Sequence, residues 1–76
     1  MKKVRVTSGP YKGRFVGPVF LGLRTNPVLY EDPEVQVDGT PYCLFAQEEA
    51  ASQYFDEKAA KVQAQLKAVG LDSELV

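Results

Sequence analysis

The stretch VTSGPYKGRFVGPV, residues 6–19, sets Tyr11 between two glycine-bearing bends and puts Lys12 and Arg14 beside it. Side chains of these types suit recognition. An aromatic ring offers a face for stacking on a base or on another protein, and adjacent cations attract phosphates or carboxylates. Gly9 and Gly13 let the backbone turn tightly and leave it uncovered by side chains. Lys3, Arg5 and Arg24 extend the same charge, since residues 1–30 hold six cations and no acid. Residues 31–76 hold ten acids against Lys58, Lys61 and Lys67, so the two parts carry +6 and −7 within a net charge of −1. Such asymmetry fits a partner that reads one end. It fits equally well two halves that pair with each other, and Tyr11 can equally fold back over a core.

Catalytic chemistry finds little to work with. There is no histidine, which removes the commonest general base, the Ser-His and Cys-His nucleophile systems and most zinc sites. Cys43 lies in the apolar run YCLF with no basic neighbour in sequence to lower its pKa, and is expected to be a buried small hydrophobe. Glu31, Asp32, Glu34 and Asp38 cluster around a turn but lack the Asp-x-Asp-x-Asp-Gly spacing of a calcium loop. GPYKGR has its glycines at the wrong spacing for a phosphate loop. No enzymatic function, metal or cofactor is expected.

The elements that must position these residues are short strands followed by a helix. KVRVT and EVQV alternate with the period of half-buried strands. SGPYKG, TNP, DP and DGTP supply turn chemistry. RFVGPVFLGLR is rich in β-formers, and Gly17-Pro18 marks a bend or an edge within it. VLYE and YCLF complete five strands within residues 1–45, with Val4, Val6, Val19, Leu21, Val35, Val37 and Leu44 inward and Phe15, Phe20 and Phe45 closing the core. Residues 46–70 are dense in Ala, Glu, Gln, Lys and Leu and predict one long helix ending at Gly70, with residues 71–76 as a tail. A rival start for this helix at Thr40-Pro41 is disfavoured, because Tyr42–Phe45 is better strand material.

On that helix Ala51, Phe55, Ala59, Val62, Leu66 and Val69 fall within an arc of about 80°. The seam is narrow, and at about 35 Å the helix outreaches a small barrel. Its distal residues Val62, Leu66 and Val69 are therefore expected to contact a partner or a second copy of the chain; the alternative is a helix packed wholly on the barrel. The longest near-apolar run, VGPVFLGL, is far too short to span a membrane. With a single cysteine and no apolar leader, the expected setting is cytoplasmic.

Taken together, VRVTSGPYKGRFVGPV, residues 4–19, resembles the KOW motif of ribosomal proteins and of transcription elongation factors of the NusG type. That motif runs from an alternating strand through a Gly-aromatic-Gly turn into a strand with a fixed glycine. Val4, Val6, Gly9, Pro10, Tyr11, Lys12, Gly13, Gly17 and Val19 stand where the pattern sets them, with the last two glycines slightly further apart than usual. The resemblance covers about a fifth of the chain and implies an SH3-like barrel. The expected fold is thus α+β: a single domain, residues 1–76, made of a small SH3-like antiparallel barrel followed by one long C-terminal amphipathic helix. The expected function is a non-enzymatic protein-binding module, an adaptor or inhibitor of the kind phages and mobile elements encode. It would dock through Tyr11, Lys12, Arg14, Lys3, Arg5, Arg24 and the helix seam. The alternative is a nucleic-acid-associated or transcription- or translation-associated module, for which the acidic pI near 5.3 is unfavourable.

Overall fold

The computed structural model describes residues 1–18 and 36–76. The described chain is α+β, a four-stranded antiparallel sheet and one α-helix. The strands are β1 (Val4–Val6), β2 (Phe15–Pro18), β3 (Tyr42–Phe45) and β4 (Ser73–Leu75), and the helix is α1 (Asp56–Ala68). Single 3-10 turns at Gly9–Tyr11 and Glu48–Ala50 link them. The strand order is β3-β2-β1-β4.

This sheet is open, where the sequence suggested a closed barrel. β3 and β4 lie at opposite edges, and the second neighbour of β1 is β4, from the segment expected to be a tail. Val4 pairs with Leu75, Arg5 with Glu74 and Val6 with Ser73. The last residues alternate as a strand does, and the apolar Leu75 joins the core face. The strand expected at VLYE, the end of the bent strand, and Val19, Phe20, Leu21 and Val35 lie outside the described residues.

Register makes each face explicit. One row across the sheet reads Leu75, Val4, Val16, Leu44, and the next reads Glu74, Arg5, Phe15, Phe45. The first row faces α1. There Val4, Val6, Val16, Tyr42 and Leu44 pack with Ala59, Val62, Leu66 and Leu71 in the main core, each buried. Burial of a residue such as Leu66 or Val62 stabilises by roughly 1.5–3 kcal/mol. The second row faces away from α1, where Phe15, Cys43, Phe45 and Ala51 form a smaller cluster.

The helix begins ten residues later than its composition suggests. Residues 46–55 are good helix formers, yet Tyr54 is held extended by a bridge to Lys2, with N–H···O distances of 2.8 Å in both directions. The β1–β2 register would set Pro18 opposite Lys2. Proline has no N–H to give the ladder, and Tyr54 takes that place. The tertiary bond outweighs propensity, which is a weak prior. The helix then starts where Asp56 and Glu57 can meet the positive end of its dipole. Its other end matches expectation. Gly70 has φ +85°, its N–H donates to the Lys67 carbonyl at 3.0 Å, and the Leu71 N–H donates to the Leu66 carbonyl at 2.9 Å. This is the Schellman pattern, completed by Leu71 and Leu66 together in the core.

Candidate binding face

The turn between β1 and β2 forms as its residue types require. Gly9 and Gly13 both have positive φ, +72° and +90°, and the Gly13 N–H donates to the Val6 carbonyl at 2.8 Å. The turn ends when the Arg14 N–H donates to the Tyr11 carbonyl at 3.0 Å and Arg14 accepts from Val6. Gly13 and Lys12 are left exposed at its tip.

Beside this tip, on the face away from α1, lies a shallow groove of about 240 Å3. Arg5, Thr7, Lys12, Gly13, Phe15 and Glu74 line it with Val6. Arg5 is the centre. Its Nε donates to Glu74 Oε1 at 2.7 Å, and a second guanidinium nitrogen reaches the same oxygen. The guanidinium also lies 5.9 Å from the centre of the Phe15 ring, within cation–π range. Arg5 is therefore held in one orientation by residues from β2 and β4, while its side chain remains 40% exposed. Lys12 adds a second, exposed cation at the rim. Such an arrangement has the chemistry to hold an anion, a fixed planar donor beside an adjustable point charge.

The other expected binding residues are distributed differently. Lys3 donates to the Glu48 carbonyl at 2.9 Å. Arg14 is half-buried with a contact of its own. Tyr11 does not stand out as a stacking platform; it is half-buried and packs on the main core. Its ring gains more from covering Val and Leu side chains than from water. Arg24 lies outside the described residues. Val62 and Leu66 are buried under the sheet, and Val69 packs partly against the same core. The seam expected to overhang is thus occupied: the helix is 13 residues long, and its Ala59, Val62 and Leu66 are buried. Phe55 has left the seam altogether, preceding the helix and largely exposed.

Phe15 is buried in the smaller core cluster, as expected, and also lines the groove. Glu74 is the groove residue that the sequence reading misses, the alternation in SELV being its available signal. The opposite-charge pairing between the two parts of the chain is real at Arg5–Glu74. The acidic part also pairs within itself. Asp38 sits at the tip of a two-residue hairpin, with φ +54° and Gly39 at +75°, closed by Val37–Thr40 hydrogen bonds of 2.9 and 3.2 Å. Its carboxylate meets Lys58 at 2.8 Å and Lys61 at 3.8 Å on α1. The Lys58 hydrogen bond holds Asp38 below the usual carboxylate range, and Asp38 in turn raises Lys58.

Two buried groups complete the chemistry. Burial pushes the Cys43 thiol up, away from nucleophilic use. Burial also raises Tyr54, whose hydroxyl has no partner in hydrogen-bond geometry among the described residues. Among the described residues no group of three His, Cys, Asp or Glu is placed to hold a metal ion, and no helix is long and apolar enough to cross a membrane. No protein-family model, curated protein or solved structure matches this chain.

Proposed function

We propose that this chain is a small non-enzymatic protein-binding module, an adaptor or inhibitor that docks on an acidic surface of a larger partner. The observation that carries this reading is the groove that holds Arg5 over Phe15 with Lys12 at its rim. An Arg already oriented by Glu74 and an aromatic ring loses little freedom on binding, and Arg and aromatic side chains are enriched at interface hot spots. A partner carboxylate would share the guanidinium with Glu74 and take Lys12 from the rim. The uncovered backbone at Gly13 lets the partner approach closely. The compartment that goes with this reading is the cytoplasm, the single cysteine offering no internal disulfide.

A second reading is favoured by the KOW resemblance of residues 4–19 and by the acid-free first thirty residues. In it the same cations contact nucleic-acid phosphates. The two readings separate by experiment. Pull-down from extract of the source cell, with and without nuclease, is compared between the native chain and Lys12→Glu. A nuclease-resistant protein partner retained by the native chain and lost by Lys12→Glu supports the module. Binding to mixed oligonucleotides that falls steeply with salt, with no such partner, supports the second reading instead.

A further inference from the structure

The hydrogen-bond alternation of β1 and β4 fixes which backbone groups of β4 point outward. Lys3 and Val76 exchange two bonds of 2.9 Å, and Thr7 donates to the Asp72 carbonyl at 2.8 Å. Arg5 and Glu74 are the pair between them. In an antiparallel ladder the alternate residues, Ser73 and Leu75, then direct N–H and C=O away from β1. Among the described residues β4 is the last strand of the sheet on that side. A side-chain amide already answers one of these groups, since Gln63 Nε2 donates to the Ser73 carbonyl at 3.1 Å. An amide N–H from α1 thus occupies the place that a strand's N–H would take. Beside this edge a groove of about 280 Å3 runs between α1 and β4, lined by Gln63, Ala64, Lys67, Leu71, Asp72 and Ser73.

We infer that the edge of β4, with its groove against α1, is a second docking site that takes an extended segment of another protein as an added antiparallel strand. The proposed surface shares Glu74 with the Arg5–Lys12 groove, but strand addition at Ser73 and Leu75 does not need that groove to be occupied. Strand addition satisfies the outward groups of Ser73 and Leu75 and displaces the Gln63 amide. Charge selects the occupant. The added strand would alternate between two sides of β4. On the side away from α1 its residue opposite Glu74 meets a carboxylate. Arg5 engages that carboxylate through Oε1, so a second donor can use Oε2. Asp72, immediately before β4 and lining the groove against α1, adds an acid at the start of the strand. On the α1 side the residue opposite Ser73 lies near Lys67. The matching segment therefore runs apolar, basic, acidic, basic, opposite Leu75, Glu74, Ser73 and Asp72 in turn. A second copy of this chain is a poor occupant. Two-fold pairing of β4 through Ser73 and Leu75 sets Glu74 directly against the Glu74 of the copy, and like charges opposite one another destabilise a strand pair.

The test uses two end-blocked hexapeptides, Thr-Val-Lys-Glu-Lys-Thr and its charge reversal Thr-Val-Glu-Lys-Glu-Thr. The native chain should bind the first at least about tenfold more tightly by fluorescence anisotropy. On binding, amide exchange at Ser73 and Leu75 should slow. Ser73→Pro removes one outward N–H without touching the ladder to β1, and should weaken binding about tenfold. If that variant loses its folded circular dichroism, Lys67→Glu decides: it should weaken the first peptide. Equal binding of the two peptides, no binding at millimolar concentration, unchanged exchange at Ser73 and Leu75, or indifference to Lys67→Glu overturns the inference. So does a sedimentation profile in which the chain alone is a dimer with those amides already protected.

Discussion

Gly17 carries no side chain because Phe45 fills the space a side chain would need. A Cβ at position 17 would lie 2.6 Å from Phe45 Cε2 and 3.1 Å from Cδ2. Gly17→Ala should therefore destabilise the domain by about 1–3 kcal/mol, the usual cost of overpacking. Urea denaturation reads this directly, and an unchanged midpoint would show that Phe45 can swing aside without loss. Tyr54 presents the converse case. Its ring is edge-on to Tyr42 at 6.1 Å, while its hydroxyl is buried with no partner in hydrogen-bond geometry among the described residues. Tyr54→Phe keeps the ring contact and removes an unsatisfied polar group, so it should be neutral or stabilise by about 1 kcal/mol. A lower melting temperature in this variant would contradict that account. Neither feature is visible as a residue type. Glycine in a strand signals a close approach in general, and only the packed sheet names Phe45 as the neighbour.

At the scale of elements, two joints hold α1 to the sheet. The first is its C-terminal cap. Gly70 sits at φ +85° with open space where a Cβ would go, so Gly70→Ala pays only the conformational penalty, about 1 kcal/mol. A thermal melt showing no change would mean that the cap tolerates a rearranged turn. The second joint is the Asp38 clamp on Lys58. Asp38 is lowered in the folded chain, so its contribution is present above its ordinary value of 3.8 and is lost as pH falls through the lower folded value. Lys58 is raised, so its contribution is full below its ordinary value of 10.5 and is lost as pH rises through the higher folded value. Both groups are solvent-facing and the effect is small. Asp38→Asn should keep the hairpin, since Asn also tolerates positive φ, and should flatten the acid limb of the melting curve below the ordinary Asp38 value of 3.8. An acid limb as steep as that of the native chain would remove the clamp from the account.

For the whole molecule the decisive position is Leu66, which is fully buried at the meeting of α1, the sheet and the Schellman turn. Leu66→Asp should unfold the chain, because an unpaired buried carboxylate costs more than a 76-residue domain can spare. Loss of the far-UV circular dichroism signature, with no folded species in sedimentation, is the expected result. A folded variant that merely fails to associate would instead restore the helix seam as an outer contact surface. The same global packing decides the role of the charge asymmetry. Arg5 belongs to the basic part and Glu74 to the acidic part, and they join because β4 returns to lie beside β1.

Local chemistry along the chain was sufficient to determine several features. The alternation of Val4 and Val6, the positive φ at Gly9, Gly13 and Gly39, the burial of Cys43 and the stop at Gly70 follow from residue type and immediate neighbours. Of the candidate site, Arg5 and Lys12 were legible as cations flanking a bare turn. Tertiary structure decided the rest, because each remaining feature depends on residues far apart in sequence. Residues 46–55 have the composition of a helix, but Lys2 lacks a ladder partner opposite Pro18 and draws Tyr54 into extended backbone. Tyr11 has the makings of a stacking platform, but the apolar core behind it offers the ring more than solvent does. Residues 71–76 carry too weak a pattern to announce a strand, and become one because β1 has an unpaired edge within reach.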